Sequence, residues 1–469
     1  MSMRGHRFRC DPTPAQEQTL LRWIGCQRFI YNAKVSEDRY FRAFARKALN
    51  LTGQHAPIDQ KYRQFIGPDT TWLREVPSQV LRNGAVRWKQ AYSRFFQKLA
   101  GRPTFHKKGG TQSVWLTREL FHFEDDGHGG YRLHLGTKKH PVGVLRYKAD
   151  RPHALPASLV VSVDAGRYYV SFATDDGTIY PRPDEIRSEL ATWDEKTLLD
   201  ATVGVDRGVV NPAYASTGTV YDFDPVQKRR MAKKARQRIR WQRRMARRVK
   251  GSSGWRKAKH RVARTYVYAS NARRDFAHKT SHELVTVPGV RLLVMENLKV
   301  QSMTRRAKAK TDKAGRWARN GVRAKAGLNQ AILDCAWGQI RTYVEYKAPR
   351  HNVLCLAVPP HHSSQECAEC GYIHSDNRLS QSRFVCQRCG HTDHADHNAS
   401  RVIAQRGVRA VIGGYLSEPQ GVGAERPEPS QPCAVATPVE TEVSRGRGKT
   451  TPTPWSKKPE TAPTTASAV

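Results

Sequence analysis

The sequence is poor in acidic residues. Its 469 residues include 41 Asp plus Glu against 80 Lys plus Arg, which gives a formal net charge of +39. A chain with such an excess of one sign repels itself unless a polyanion neutralises it. We therefore expect nucleic acid as the first partner, in preference to a merely solvated basic surface or a surface that contacts anionic lipid.

Long apolar runs are also missing. No stretch approaches the roughly 18 apolar residues that a membrane-spanning helix needs. The amino terminus, MSMRGHRFRCDPTP, has no hydrophobic segment of the kind found in signal peptides. The sequence therefore predicts a cytoplasmic protein with no membrane partner.

Cysteine is scarce, with nine residues in the whole chain. Five of these are scattered, which argues against a disulfide scaffold and indicates a reduced compartment. The other four form two Cys-x-x-Cys pairs separated by fifteen residues: Cys367, Cys370, Cys386 and Cys389. A glycine follows each pair, where a metal-binding knuckle turns tightly. This spacing predicts a closed four-thiolate zinc site, which is structural because it leaves no position for a reactive water.

Three acids stand out by their positions. Asp206 ends the apolar run VGVD, and Glu296 ends the similar run LLVME. Asp396 follows the last zinc cysteine by seven residues and opens a predicted helix, DHNASRVIA. Each alone is equally consistent with a carboxylate at a strand end or a helix N-cap. Asp393 is the alternative to Asp396.

Together these acids have a chemical use. Carboxylates that converge at a sheet edge can hold two Mg²⁺ ions, one activating a water and the other stabilising the leaving oxygen of a phosphodiester. Histidines near the last acid offer a rival hypothesis as transition-metal ligands, or else serve as turn, surface or phosphate-contacting residues: His391, His394 and His397.

The hydrophobic periodicity and the composition of the sequence change along the chain. Residues 16–101 have helical periodicity, and residues 103–195 alternate in short strand-like runs. Residues 226–279 contain 21 Lys or Arg and one acid, which predicts two basic helices that contact a nucleic-acid backbone. Residues 416–469 are rich in Pro, Ser, Thr, Glu and Gly, and we predict a disordered tail there.

The motifs GVDRG, MENL and HADHNAS, the last following SSQECAECG…RFVCQRCG, resemble the split RuvC-like nuclease of TnpB proteins and compact type V CRISPR effectors. FRCDPTPAQEQTLL…RFIYNAKV, GRPTFHKK and VEYKA are also similar to family segments. The resemblance covers roughly residues 6–405. It implies a multidomain fold of α/β, all-β and helical parts: an RNase H-like (RuvC-like) nuclease domain, an inserted four-cysteine zinc ribbon, an oligonucleotide-binding-type β-barrel and a helical recognition lobe.

The same resemblance implies domain boundaries. The β-barrel would take residues 1–15 and 102–195, with the helical lobe at 16–101 inserted into it. The nuclease domain would take residues 196–362 and 391–415, divided by the ribbon at 363–390, and the tail would follow from 416.

The family's activity is RNA-guided cleavage of double-stranded DNA beside a short motif that the protein recognises. Carried over residue by residue, this implies catalytic Asp206, Glu296 and Asp396, zinc on the four cysteines, and guide RNA with double- and single-stranded DNA as partners. It also implies a bacterial protein that joins the nucleoid when on DNA. Arg207 departs from the apolar residue that the family usually has there, and it either contacts a phosphate or perturbs the site.

Nucleic-acid contacts are predicted more broadly. Gln79 and Asn83 lie one helical turn apart and carry amides that can recognise base edges. The remaining predicted contacts are basic residues: Arg236, Arg240, Arg243, Arg247, Lys347 and Arg383.

Three other functions fit parts of this pattern. A non-cleaving RNA-guided binder would not need the three acids. An RNase H-like transposase would need no zinc ribbon, and a zinc-ribbon transcription factor would leave Asp206 and Glu296 without a role. The sequence does not distinguish a transposon-encoded protein from a CRISPR effector, nor a monomer from a dimer.

Overall fold

The computed structural model describes residues 3–48, 50, 58–110, 112–127, 131–313 and 315–413, and the predicted tail lies outside them. The helices are α1 Pro14–Tyr40, α2 Arg46–Ala48, α3 Ser78–Phe96, α4 Pro183–Leu190, α5 Glu195–Asp200, α6 Pro225–Ala246, α7 Ser253–Val285, α8 Val300–Met303, α9 Val322–Asp334, α10 Trp337–Lys347 and α11 Ala395–Ile412. The strands are β1 Met3–Cys10, β2 Gln112–Thr117, β3 Phe121–Asp125, β4 Tyr131–Gly136, β5 Pro141–Leu145, β6 Tyr147–Lys148, β7 Ser158–Asp164, β8 Arg167–Asp175, β9 Thr202–Asp206, β10 Ala213–Ala215, β11 Val220–Tyr221, β12 Leu292–Glu296, β13 Lys310–Thr311, β14 Trp317–Ala318, β15 Leu354–Val358, β16 Arg383–Val385 and β17 Thr392–His394.

The amino-terminal half is built on antiparallel strands. A five-stranded sheet has the order β2-β7-β8-β1-β6, and β3, β4 and β5 form a second sheet. In β1 every second residue from His6 to Cys10 is buried, as the two-residue period of a half-buried strand requires. Phe8 of the first sheet and Leu133 of the second belong to one hydrophobic core. The two sheets therefore pack around one core and form a single β unit.

Helices α1 to α3 interrupt this β unit between β1 and β2. Helix α1 begins with a capping box, in which Thr13 and Gln16 bond reciprocally and Pro14 occupies the first turn. Trp23 of α1 and Leu81 of α3 are buried in the same core as the strands. The helical segment is thus packed onto the sheet.

A separate five-stranded sheet follows along the chain, with the order β11-β10-β9-β12-β15. Strands β9, β12 and β15 are parallel, while β10 and β11 run antiparallel to them. Every residue of β12 is buried, because helices cover both faces of this sheet. Helices α7 and α10 pack on one face, and α4, α5 and α11 pack on the other. This three-layer arrangement, with the antiparallel unit and the ribbon described below, confirms the predicted fold class.

Helices α6 and α7 form the long basic hairpin expected from the composition. Helix α6 buries none of its residues. Helix α7 buries a stripe that includes Phe276 and Leu284 against the β11-β10-β9-β12-β15 sheet, which we call the nuclease sheet because it lies in the predicted nuclease domain. The basic hairpin is therefore anchored by α7 alone.

The ribbon lies between β15 and α11. Strands β16 and β17 pair antiparallel, and α11 begins directly after β17. Among the described helices, none combines the length and the apolar character that crossing a membrane demands.

Candidate active site

The first two acids lie at one edge of the nuclease sheet. Strands β9 and β12 are parallel neighbours in which Val205 is opposite Met295, so Asp206 and Glu296 follow at the carboxyl ends of both strands. Parallel strands end at the same edge, and their carboxyl ends are the usual place for a site in such a sheet.

Helix α11 brings the third acid to this edge, because it crosses β9 and β12 at very close range. A Cβ atom on Gly204 would lie 2.0 Å from the carbonyl oxygen of Ser400, and one on Gly407 would lie 2.2 Å from a methyl of Val294. The two glycines therefore permit backbone contact between helix and sheet. Asp396, in the first turn of α11, is thereby held beside the two strand ends, and it is only 3% exposed.

The three carboxyl groups influence one another. Burial, and then the charges of Glu296 and Asp396, raise the pKa of Asp206 to about 7. Burial also raises the pKa of Glu296, although a hydrogen bond from the Ser363 hydroxyl (2.6 Å to Oε1) opposes the shift. The edge thus concentrates negative charge that is poorly solvated.

Such a site fits a divalent cation. Hard carboxylate oxygens are the ligands that Mg²⁺ prefers. A bound cation would remove the mutual repulsion that now raises the pKa of Asp206. Asp206, Glu296 and Asp396 are therefore a suitable donor set for the predicted magnesium ions.

The raised pKa of Asp206 predicts how the stability of the folded chain depends on pH. The pKa of Asp206 rises from an ordinary value of 3.8 to about 7 on folding, so the folded chain binds more protons than the unfolded chain between those pH values. Stability in the absence of metal then falls as pH rises through this window. We expect Asp206→Asn to raise the melting temperature by several degrees at about pH 8 in buffer that contains no Mg²⁺ and no chelator of the ribbon's zinc, and by much less at about pH 5. Equal melting temperatures at the higher pH would contradict it.

Two groups that the sequence patterns did not single out contact Asp396. The guanidinium of Arg378, in the ribbon, lies 3.3 Å from Oδ1, and the Asn211 amide donates to Oδ2 at 3.0 Å. Arg378 is preceded by Asn377, whose side chain bonds to the backbone of Gln365, Tyr372 and Gln387. The ribbon therefore places a cation next to the third acid. The only sequence sign of it was a basic residue between the two cysteine pairs.

Arg207 has an internal hydrogen-bond partner. It is 4% exposed, and its Nη2 donates to the backbone carbonyl of Glu296. Burial lowers the pKa of Arg207 to about 10, while the Glu296 charge opposes the shift. Arg207 is therefore an internal counter-charge to Glu296 and Asp206, and the two roles expected of it stay predictions.

The four cysteines form one cluster. All four sulfurs lie within 4.8 Å of one another, with Cys367 3.7 Å from Cys389 and Cys370 3.6 Å from Cys386. Four sulfurs at about 2.3 Å from one zinc ion lie about 3.8 Å apart. The geometry therefore fits the tetrahedral zinc site predicted from the spacing.

The cluster is fastened to α11. The Asn398 side chain accepts from the Ala368 amide (2.9 Å) and donates to the Glu366 carbonyl (2.7 Å). Glu366 also forms a buried ion pair with Arg406. The helix that carries Asp396 and the ribbon that carries Arg378 are thus one connected unit.

Asp393 and the three histidines have other partners. His397 Nδ1 lies 2.9 Å from Asp393, and its Nε2 lies 3.2 Å from the Ser216 carbonyl oxygen. His394 Nδ1 accepts from the Asp396 backbone amide as the N-cap of α11, and His391 lies 3.8 Å from Asp393. Asp393 is therefore held by histidines, while Asp396 is the acid whose charge acts on Asp206.

The predicted nucleic-acid contacts divide into exposed and internal residues. Arg236, Arg240 and Arg243 on α6 are exposed, as are Arg247 at its C-cap and Arg383 on β16. Lys347 is half-buried and donates to the His278 carbonyl and the Ser281 hydroxyl. Gln79 is partly exposed. Asn83 is 1% exposed and donates to the Trp115 carbonyl and the Thr117 hydroxyl, so its amide is not available for a base edge.

Three family models match the chain. One described as "Cas12f1-like, TNB domain" covers residues 337–403, and one described as "Probable transposase" covers 185–307. A third, described as "Helix-turn-helix domain", covers residues 1–39, of which the described part, from Met3, contains β1 and most of α1.

Several proteins are similar over long stretches. "Putative RNA-guided DNA endonuclease InsQ" of Escherichia coli K12 is 31% identical over 421 residues, which is 88% of this chain and 94% of that protein. A "Putative RNA-guided DNA endonuclease" of Streptomyces pristinaespiralis is 28% identical over 89% of this chain and 92% of its own. A "CRISPR-associated endodeoxyribonuclease Cas12f1" of Sulfoacidibacillus thermotolerans is 40% identical over 81 residues, 17% of this chain and 19% of its own.

Among solved structures, a Cas12f1–sgRNA–target DNA complex matches with a TM-score of 0.47 and 14% identity, covering 83% of this chain and 82% of that one. The sequence match to the Escherichia coli protein, by contrast, spans nearly the whole of both chains. The chain belongs to the family of TnpB proteins and compact type V CRISPR effectors.

Proposed function

We propose that the chain is an RNA-guided DNA endonuclease that hydrolyses phosphodiesters at Asp206, Glu296 and Asp396. The observation that carries this proposal is the convergence of three poorly solvated carboxyl groups at one sheet edge, one of them with its pKa raised to about 7. Two similar proteins are named RNA-guided DNA endonucleases. The nuclease would act in the bacterial cytoplasm and join the nucleoid when on DNA.

In this proposal the three carboxylates hold two Mg²⁺ ions, which supply a lowered pKa for the attacking water and a counter-charge for the leaving oxygen. The chain's own groups do the rest. Ser363 fixes the Glu296 carboxylate by its hydrogen bond, and Arg207 offsets the buried charge from below. Arg378 lies on the ribbon side of Asp396, where its guanidinium can contact a phosphate oxygen of the DNA.

We also assign roles to the other parts. The β unit (1–15 and 102–195) and the exposed α6 arginines would hold the structured RNA by its backbone. The helical segment (16–101) would cradle the RNA–DNA duplex, with Gln79 near the recognised motif. The ribbon (363–390), carrying Arg383, would take structural zinc and contact target DNA between the two nuclease segments (196–362 and 391–415).

The test uses the full-length chain purified with the RNA that accompanies it. Incubated with Mg²⁺ and double-stranded DNA that matches the RNA's guide segment, it is expected to cut, and DNA with a scrambled match should stay intact. Cleavage of both DNAs would contradict guidance, and cleavage of neither would favour an RNA-guided binder.

The family model described as a transposase raises a second candidate, strand joining by the same acids. A preparation that carries no RNA and joins transposon ends would support it. Recovery of one defined RNA with the chain would exclude it as the main activity.

A further inference from the structure

A second basic site lies away from the acids. A cleft of about 890 Å³ opens between β1, the end of α7, and α10 with the turn Ala348–His351 that follows it. We refer to it as the histidine cleft. None of its lining residues is acidic, and five are cationic: Arg4, Arg7, Arg151, Lys347 and Arg350. One of these charges is offset, because Arg350 lies 3.4 Å from Asp176.

Four histidines also line this cleft: His6, His278, His282 and His351. The rings of His282 and His351 have centroids 6.0 Å apart. His278 stacks on Tyr343 at 4.0 Å, with its Nδ1 3.5 Å from the Tyr346 hydroxyl.

His6 is 4% exposed and gives a second, independent indication of a ligand. Its Nε2 is 3.2 Å from the Thr174 hydroxyl, while its Nδ1 has no hydrogen-bond partner among the described residues. Buried polar atoms are nearly always paired, so an orphaned one in the wall of a cationic cleft indicates an absent partner.

The cleft lies at the opposite edge of the nuclease sheet from the acids. Helix α10 begins at Trp337, whose indole N–H donates to the Gly208 carbonyl beside Asp206. It ends at Lys347, and a helix of eleven residues spans about 16 Å. A strand being cut at Asp206 therefore does not need to pass through the histidine cleft.

We propose that the histidine cleft binds the phosphate backbone of the RNA that the chain carries. Phosphodiester oxygens are the anions that clustered arginines and histidines of this kind recognise. RNA is favoured over DNA because the DNA is engaged at the other edge. This inference rests on the proposed RNA-guided function and adds to it a definite site.

Binding there would take up protons. Burial, and then Arg151, His153 and Arg4, lower the pKa of His6, with Asp150 opposing. Burial and Lys347 lower the pKa of His278, helped by Arg274 and Arg151 and opposed by Asp275. Burial lowers the pKa of His351, followed by His282, Lys347 and Arg350. The lowered pKa values favour the neutral form of His6, His278 and His351 in the free chain. A phosphate placed beside them favours their charged form, so RNA binding strengthens as pH falls.

The experiment removes the RNA from the full-length chain and titrates it back. Between about pH 8 and pH 6 we expect the affinity of the wild-type chain to rise roughly tenfold or more. The triple variant His278→Gln, His282→Gln, His351→Gln should lose most of that rise. The matched control is His374→Gln, an exposed histidine of the ribbon that lies outside the cleft and outside the parts proposed to hold RNA, and it should keep the rise.

A second variant tests the cleft independently, in case the triple variant does not fold. Arg4→Gln with Arg151→Gln removes two exposed charges of the cleft, and it should reduce the slope of log affinity against log salt by about 1 to 2. If the triple variant keeps the pH dependence of RNA affinity, and the double arginine variant keeps the slope of log affinity against log salt, the histidine cleft is not an RNA site. An equal loss of affinity for DNA of the same sequence would overturn its assignment to RNA.

The two proposals fail in different ways. If the wild-type chain neither retains RNA nor cuts matched DNA, the proposed function is wrong. If it does both, and the cleft variants bind RNA as the wild type does at both pH values, only the histidine cleft is wrong.

Discussion

Asp206→Asn is expected to stop DNA cleavage while leaving RNA binding intact. Asparagine keeps the shape of the side chain but removes the charge that the cation requires, so we expect the cleavage rate to fall by at least about 10³-fold. Glu296→Gln and Asp396→Asn should have effects of similar size. RNA retention by the purified variants and single-turnover cleavage of matched DNA measure the two properties separately.

The matched control for this series is Asp393→Asn. Asp393 is three residues from Asp396 but is held by His397, with His391 nearby. We expect this variant to cut within roughly tenfold of the wild-type rate, since its partners are histidines and not the acids. If Asp393→Asn is inactive and Asp396→Asn cuts, then Asp393 is the third ligand and the assignment is reversed.

Loss of the zinc site is expected to stop cleavage although none of the cysteines touches the substrate in the proposed mechanism. Cys386→Ser would leave three thiolates, and a structural zinc site supplies roughly 10 kcal/mol or more of folding free energy. The ribbon holds Arg378 next to Asp396 and bonds to α11 through Asn398. Its unfolding should therefore reduce cleavage by about 100-fold or more, measured beside zinc content.

The control for that experiment is Cys355→Ala, which removes a thiol from β15 and leaves the ribbon unchanged. It should keep one zinc ion per chain and most of the activity. The α7-anchored basic hairpin should still bind RNA in Cys386→Ser. A Cys386→Ser chain that contains no zinc yet cuts normally would show that the ribbon does not position the site.

The sequence was informative where a residue's role depends on its immediate neighbours. Asp206 and Glu296 each end an apolar run. A parallel strand that is covered on both faces has no place for a charged side chain until it reaches the edge of the sheet. The cysteine spacing likewise depends on local turns. These patterns predicted both the acids and the thiolate cluster that the structure describes.

Roles that depend on tertiary contacts were not predictable in this way. Arg378 and Asn211 meet Asp396 across 18 and 185 residues of chain, and no local pattern marks either as its partner. Asn83 lies on a helix where its amide seemed available, yet α3 packs against β2 and buries it. Arg207 was marked in the sequence only by its departure from an apolar position, and its internal acceptor comes from the end of β12. In each case the decisive partner comes from a distant segment.

The division of the acids along the chain has a consequence for how the protein is made. Asp396 follows Glu296 by one hundred residues, and it reaches the sheet edge only when α11 has packed onto β9 and β12. At a synthesis rate of about 5–20 residues per second, the chain spends roughly 5–20 s on the ribosome with only two of its three acids. A nascent chain, or one terminated before Asp396, therefore lacks one of the three carboxylates that the proposed mechanism requires, and we expect it not to cut DNA.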